Sequence, residues 1–189
     1  MHDFTDKNLG KAAPYGVYDI GMNKGWVSAG ISNDTAEFAV NTVRAWWYNM
    51  GERIYQDAEK ILITADPGGS NGYRVRLWKK KLQESADEID KEIHVSHFPP
   101  GTGKRNKTEH RMFSYISQNR RGRPLINRET VVDLIGNTET DKGLKIMAML
   151  DENIYHTGIK ISDKEFAKIN IIKDQFRGEW NYIIFPSER

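Results

Sequence analysis

Two acidic residues occupy positions that are typical of a metal site in an enzyme. Asp66 ends the apolar run Ile61–Ala65 and is followed by Pro67 and a glycine-rich turn. Glu109 stands at the start of an amphipathic segment, after the loop FPPGTGKRNKT that begins at Phe98. Carboxylates at a strand end and a helix start can bind hard divalent cations such as Mg²⁺, which prefers oxygen ligands. Two such ions can activate the attacking oxygen and stabilise the leaving oxygen in phosphoryl transfer.

Each acid also has a purely structural explanation, and the residues alone leave both open. An Asp before Pro-Gly is a common first residue of a turn, which would account for Asp66. Glu109 lies three residues after Asn106, which is the spacing of a capping pair. Glu109 also lies four and seven residues before Phe113 and Ile116, so α-helical spacing would turn it towards the edge of the core. A carboxylate at such a position needs a partner or a metal, which favours a functional role.

The predicted elements would place these acids at the edge of a sheet. Hydrophobic periodicity predicts a hairpin over 15–31, helices over 34–50, 73–89 and 106–119, and strands over 61–65 and 93–98. Asp34 is the predicted cap of the first helix. Strands that alternate with helices imply a mixed sheet with helices on its faces. Ligands gather at the carboxyl ends of strands in such sheets, and Asp66 occupies such an end.

The rest of the chain predicts a smaller extension. A helix over 128–135, a strand over 144–150, a short helix that begins with a Ser162–Glu165 capping box and a final strand over 178–185 are expected. The aromatic run Trp46–Tyr48 lies inside the apolar stripe of the first helix, so we interpret it as packing rather than as a platform for stacked bases. His94 and His97 are three residues apart on a strand, so they face opposite sides and cannot share a metal.

Positive charge is concentrated around Glu109. Between Gly101 and Pro124 there are seven basic residues and one acid, so this segment carries +6 in a chain whose net charge is +2. A basic segment on an otherwise acidic protein is typical of binding to a phosphate backbone, although a solvated charged surface would give the same count. The basic residues are Lys104, Arg105, Lys107, Arg111, Arg120, Arg121 and Arg123.

Length and composition exclude several classes of protein. The chain has 189 residues and no cysteine, which excludes disulfides and cysteine zinc sites. It has neither a long apolar run nor a signal-peptide pattern, so a soluble cytoplasmic protein is expected. PPGTGK resembles part of an ATPase phosphate loop, but Phe98 replaces the first glycine of that motif and Arg105 replaces its hydroxyl residue. A P-loop-like nucleotide binder is therefore only a remote alternative.

Four motifs carry a resemblance to a known family. They are ADPGGSNGYRVRLWK, HFPPGTGKRNKTEHRMFSYI, RGRPL and GEWNY, which begin at residues 65, 97, 121 and 178. Together they resemble the catalytic domain of the ISAzo-type insertion-sequence transposases, a bacterial branch of the DDE transposase and integrase superfamily. The resemblance covers almost the whole chain. It implies a ribonuclease-H-like α/β fold, with helices on both faces of a mixed sheet.

The resemblance also implies an incomplete metal site. The family cuts and joins DNA with three acids and two Mg²⁺ or Mn²⁺ ions; Asp66 matches the second acid and Glu109 the third. The first acid is expected on a strand upstream of this chain, and Asp19 does not match it. Residues 1–125 are therefore expected to form a catalytic core that lacks its first strand. Residues 126–189 would form the α+β extension, packed on the same domain.

What the family does defines the expected function of this chain. A DNA transposase would bind transposon ends and target DNA, and its seven basic residues would contact phosphates. It would act as a homo-oligomer on DNA and is expected in the bacterial cytoplasm, at the nucleoid. Pro67 replaces a family glycine, Arg105 replaces a family aromatic residue, and the amino-terminal DNA-binding region of the family is absent. A truncated transposase is therefore expected. The alternative is a non-catalytic remnant that binds DNA or oligomerises.

Overall fold

The computed structural model describes residues 4–6, 10–102, 106–119 and 128–188, with the main chain alone at 4–6, 10–12 and 109. The strands in these ranges are β1 (Phe4–Asp6), β2 (Gly10–Asp19), β3 (Lys24–Gly30), β4 (Lys60–Ala65), β5 (Glu92–His97), β6 (Lys145–Asp151), β7 (Ile171–Lys173) and β8 (Asn181–Ile184). The helices are α1 (Ala36–Trp46), α2 (Glu52–Ile54), α3 (Arg76–Ile89), α4 (Ser114–Asn119), α5 (Arg128–Gly136) and α6 (Asp163–Phe166). Trp47–Gly51 and Thr108–Phe113 are π-helical.

The chain folds into two compact units. The first is formed within Met1–Asp34 and Lys104–Tyr155, and the second within Thr35–Gly103 and His156–Arg189. Each unit has its own four-stranded sheet, in the order β1-β2-β3-β6 in the first and β4-β5-β8-β7 in the second. The division at residue 125 that the sequence suggested stays a prediction.

The first unit is built on the predicted hairpin. β2 and β3 pair antiparallel, and β6 adds to β3 in parallel, with Trp26 opposite Met147. Asn23 adopts a positive φ of 52° in the turn. Asp19 is buried beside it, and its carboxylate accepts a hydrogen bond from the amide of Met22 at 3.0 Å. This bond gives Asp19 a structural role in the turn.

Two glycines of the hairpin make room for the segment that carries Glu109. The side chain of Met112, in the π-helical segment, is fully buried against Gly16 and Gly25. A Cβ atom on Gly25 would lie only 2.6 Å from Met112 Sδ and 3.1 Å from Ile146 Cγ1. Gly25 therefore provides space in the core of the unit, whereas the left-handed conformation of the turn is supplied by Asn23.

The second unit buries one face of its sheet under α3. β4 and β5 pair in parallel, while β8 pairs antiparallel with both β5 and β7. Trp78, Leu82 and Ala86 are fully buried on α3, which contacts β5 and β8. On the other face, Leu62 is 69% exposed and Ile172 is 57% exposed. The helical layer that we expected on both faces therefore does not extend over these two positions.

The mixed α/β class is confirmed, and the predicted single sheet is replaced by two. Within the described residues, no strand joins the two sheets by hydrogen bonds. In the first sheet β6 is the edge strand beside β3, and in the second sheet β8 lies between β5 and β7. That a first strand of the family fold is missing stays a prediction. The capping box at the start of α6 is present, and Lys80 and Ser162 lower the pKa of the Glu165 carboxyl to about 2.

The first long helix differs from its prediction at both ends. Thr35, rather than Asp34, caps α1, because its hydroxyl accepts a hydrogen bond from the amide of Phe38 at 3.2 Å. After Trp46 the helix continues as a π-helical turn. Trp46 and Trp47 are both buried, as the packing interpretation predicts, whereas Tyr48 is 42% exposed and does not follow it. None of the helices in the described ranges combines the length and the apolar character that crossing a membrane requires.

We predict that Gly25→Ala lowers the free energy of unfolding by about 1–3 kcal/mol, the usual cost of overpacking a core. The same substitution in a Met112→Ala background should cost less than about 0.5 kcal/mol, because the obstructing side chain is gone. Gly136→Ala is the control, since its new Cβ would have only ordinary contacts with Ala148. Urea denaturation followed by tryptophan fluorescence measures the free energy of unfolding of Gly25→Ala, Met112→Ala, the double variant and Gly136→Ala. If Gly25→Ala lowers this free energy equally with and without Met112, the packing described above is contradicted.

Candidate metal site

Asp66 is the first residue beyond β4, at the carboxyl end of that strand, as the sequence predicted. Its side chain is half-buried. The neighbouring strand β5 runs parallel to β4, and their pairing continues one residue past the strand end. There, the Phe98 amide donates a hydrogen bond to the Ala65 carbonyl at 2.9 Å. The main chain that enters Asp66 is therefore fixed to the sheet on one side.

A compact turn follows Asp66 and returns the chain to α3. The Gly72 amide donates to the Gly69 carbonyl at 3.1 Å, and the Tyr73 amide donates to the Pro67 carbonyl at 3.4 Å. Gly69 has a φ of +76°, a conformation that glycine adopts at little cost. A Cβ atom on Gly72 would lie 3.2 Å from the carbonyl oxygens of Gly69 and Pro67. The glycines of the motif thus allow the chain to turn closely behind Asp66.

The buried side chain of His97 contacts the main chain at the same strand end. It is the last residue of β5 and is 3% exposed, and its Nδ1 lies 3.1 Å from the carbonyl oxygen of Asp66. Its Nε2 lies 3.4 Å from the Tyr182 hydroxyl, which in turn accepts a hydrogen bond from Trp78 Nε1 at 3.0 Å. Burial is the main cause that lowers the pKa of the His97 imidazole, and burial also raises the pKa of the Tyr182 hydroxyl.

Sequence reasoning missed this role of His97. The prediction that His94 and His97 face opposite sides of the sheet is confirmed, since His94 is half-buried and has its Nε2 2.9 Å from Glu92 Oε2. Two signals could have pointed to this role: the alternation of apolar residues along β5, which turns His97 towards the core, and the position of His97 at the end of that strand, opposite Ala65 of β4. The hydrogen bond to Asp66 depends on side-chain geometry, which no sequence pattern gives.

A buried lysine adds positive charge beside this group. Lys79, on α3, donates from its ammonium to the carbonyl oxygen of Tyr73 at 2.7 Å. The same ammonium lies 5.1 Å from the centroid of the Tyr182 ring. Burial is the largest cause that lowers the pKa of Lys79, and the charges of Lys173 and Arg76 lower it further. Lys79 therefore holds the carboxyl-terminal end of the turn that begins at Asp66.

Glu109 lies in the first unit, on the π-helical segment Thr108–Phe113. Asn106 begins that segment: its side-chain oxygen accepts a hydrogen bond from the Thr108 amide at 3.0 Å. Met112 and Phe113 are buried, as predicted. The α-helical spacing from which the orientation of Glu109 was predicted does not apply to a π-helix, whose hydrogen bonds run from i to i+5. A role for Glu109 as a metal ligand stays a prediction.

Two of the seven predicted DNA-binding residues lie in the described ranges. Lys107 directly precedes the π-helical segment that carries Glu109, Arg111 lies on that segment, and both side chains are exposed. The other five, Lys104, Arg105, Arg120, Arg121 and Arg123, lie outside the described residues. Exposure of Lys107 and Arg111 is what contact with phosphate requires, and their role stays a prediction.

The donor chemistry of Asp66 suits a hard divalent cation, since its carboxylate oxygens are the ligand type that Mg²⁺ prefers. Within the described ranges, no cluster of three or more His, Asp or Glu side chains is arranged to hold a metal ion. The side chain of Glu109 is not among the described ones.

Comparison with known families identifies the class. A strand that ends in an acid, within a mixed α/β fold, is compatible with the catalytic domain of a DDE transposase. The sequence model of the family described as the Rhodopirellula transposase DDE domain matches residues 1–186, so the chain belongs to this family. No curated protein and no solved structure that was compared with the chain matches it. DDE transposases act on DNA and generally use divalent metal ions, and the resemblance seen in the sequence motifs is confirmed.

We predict that Gly69→Ala destabilises the turn behind Asp66, lowering the free energy of unfolding by about 1–2 kcal/mol, because alanine pays a steric cost at positive φ. Gly68→Ala is the matched control, since no atom lies within 4 Å of its new Cβ. Its effect should stay within about 0.5 kcal/mol. Urea denaturation of both variants provides the comparison, and equal effects would show that the left-handed conformation of Gly69 is unimportant.

Proposed function

We propose that this chain is the metal-dependent catalytic domain of an insertion-sequence transposase, which cuts DNA at transposon ends and joins the freed 3′ ends to target DNA. The observation that carries the proposal is the family match over residues 1–186, together with an acid at the carboxyl end of β4. Ligands of open α/β sheets bind at this end of the strands, so the position of Asp66 supports the role that the family implies.

Asp66 and Glu109 would each supply a carboxylate to two Mg²⁺ or Mn²⁺ ions. When bound, such ions activate the attacking water or 3′ hydroxyl and stabilise the leaving oxygen. The protein's part is to hold the carboxylates at fixed positions. The hydrogen-bonded strand end at Asp66 and the packed segment around Met112 both support this assignment, because each acid follows or lies on an element that is anchored in the core of its unit.

The basic residues around Glu109 would hold the DNA backbone. Lys107 and Arg111 are exposed, and we extend the same role to Lys104, Arg105, Arg120, Arg121 and Arg123, which complete the basic segment. Contacts of this kind position the duplex without reading its sequence. We also propose that the chain acts as a homo-oligomer on DNA, because transposition requires two transposon ends to be held together.

We predict that Asp66→Asn and Glu109→Gln each reduce Mg²⁺-dependent nicking of a supercoiled plasmid by more than about 100-fold. Loss of an outer-shell partner of a metal ligand already costs about 10–100-fold, so loss of a ligand should cost more. The control is Asp57→Asn, which removes the same charge from an exposed residue before β4, at the opposite end of that strand.

The comparison of nicking by these three variants decides between two functions. Nicking that survives Asp66→Asn unchanged would contradict the catalytic proposal. If the unmodified chain binds DNA but does not nick it under any metal condition, the chain is a non-catalytic DNA-binding protein of the transposase family. Binding is measured on the same plasmid, so that failure to bind and failure to cut are distinguished.

We predict that the double variant Lys107→Ala/Arg111→Ala weakens DNA binding and makes it less sensitive to salt. Each lost phosphate contact should reduce the slope of log K against log salt concentration by about 0.9, or about 2 for the pair. The control is Lys142→Ala/Lys164→Ala, which removes the same charge from exposed positions outside the basic segment. Fluorescence anisotropy with a labelled duplex measures both slopes; equal slopes would contradict the proposed interface.

A further inference from the structure

A chain of buried hydrogen bonds ends on the main chain of Asp66. It runs from Trp78 Nε1 to the Tyr182 hydroxyl at 3.0 Å, from that hydroxyl to His97 Nε2 at 3.4 Å, and from His97 Nδ1 to the Asp66 carbonyl oxygen at 3.1 Å. Trp78, Tyr182 and His97 are all almost completely buried. They come from α3, β8 and β5, so three separate elements of the second unit converge behind one residue.

Chemistry determines the direction of the first and last bonds in this chain, and the middle bond follows if the Tyr182 hydroxyl donates. A carbonyl oxygen only accepts, so His97 must carry a hydrogen on Nδ1. An indole N–H only donates, so the Tyr182 hydroxyl accepts from Trp78 and has its own hydrogen left for His97 Nε2. A nitrogen that accepts belongs to a neutral imidazole. Within these three bonds, the hydroxyl hydrogen of Tyr182 has an acceptor only when His97 is neutral and is the Nδ1–H tautomer.

The surroundings of His97 favour the same state. The buried ammonium of Lys79 lies 5.1 Å from the centroid of the Tyr182 ring, so a second positive charge nearby is disfavoured. Tyr73, which ends the turn that Asp66 begins, packs edge-on against the imidazole with ring centroids 6.3 Å apart. His97 thus contacts both ends of the turn, through a hydrogen bond at Asp66 and a ring contact at Tyr73.

We propose that His97 is the positioning residue for Asp66, and that Tyr182 and Trp78 hold its imidazole in the tautomer that this task requires. The inference rests on the proposed role of Asp66 as a metal ligand. A metal-binding carboxylate needs main chain that is held in a fixed position, and the hydrogen bond from His97 holds the carbonyl of Asp66. His97 itself would touch neither metal nor DNA.

The test compares two side chains of nearly equal shape at position 97. In His97→Asn, the side-chain amide nitrogen takes about the place of Nδ1 and can still donate to Asp66, whereas His97→Leu fills the same space without a donor. Mn²⁺ affinity, measured by electron paramagnetic resonance, should fall by about 10–100-fold in His97→Leu and by only a few-fold in His97→Asn. Equal affinities of the two variants would overturn the proposal, since a merely structural role would not separate them.

Two further measurements keep the outcomes distinct. Asp66→Asn should remove the same Mn²⁺ site; if it does not, the metal role of Asp66 fails, and the positioning role fails with it. Long-range ¹⁵N–¹H spectra of the unmodified protein should show the Nδ1–H tautomer of His97, and Tyr182→Phe should weaken that preference. Observation of the Nε2–H tautomer would overturn the proposal directly, even if His97→Leu does not fold.

Discussion

The end of β4 is the point on which the described site depends, because there the chain must leave a hydrogen-bonded sheet without leaving its polar atoms unsatisfied. An unpaired carbonyl in such a place is costly. Ala65 is satisfied by the amide of Phe98, and Asp66 by the imidazole of His97. The turn over 67–75 closes on its own amides and on Lys79. Satisfying the main chain therefore also fixes the place from which the Asp66 carboxylate extends.

The segment that carries Glu109 is anchored by packing and by the hydrogen bond from the Thr108 amide to the Asn106 side chain. Met112 occupies the space left by Gly16 and Gly25, and Phe113 is buried beside it. The segment is π-helical, a conformation that is rare and is frequently found at functional sites. In each unit, then, a candidate acid stands on main chain that other elements hold in place. This is the property that a metal-binding carboxylate needs.

Local signals in the sequence predicted most of the elements that hold these acids. The hairpin, the strands β4 and β5, α3 and the capping box of Ser162 all follow from periodicity and capping residues. The prediction of Asp34 as the cap of α1 was wrong, because Asp34 and Thr35 are adjacent and both residue types are good caps. The π-helical turns were missed because one extra residue in a helix leaves the pattern of apolar residues nearly unchanged.

Long-range geometry could not be read from the sequence. The placement of β8 beside β5 joins residues about 90 positions apart, and no local pattern indicates it. The sequence placed His97 on the opposite face from His94, but its bond to Asp66 depends on the position of β8, since β8 supplies Tyr182. Both acids were found from their sequence positions, Asp66 after an apolar run and Glu109 at the start of an amphipathic segment, and the family motifs then matched them to the second and third acids. The structure describes the strand end before Asp66, whereas the side chain of Glu109 is not among the described ones.

The proposed metal-binding role of Asp66 and Glu109 is tested most directly by iron-directed cleavage of the chain. Fe²⁺ in place of Mg²⁺, with ascorbate and peroxide, produces radicals that cut the main chain next to the metal. The account predicts cuts near both Asp66 and Glu109 that excess Mg²⁺ suppresses and that Asp66→Asn removes at both places. Cuts near only one of the acids, or cuts that persist in Asp66→Asn, would contradict it.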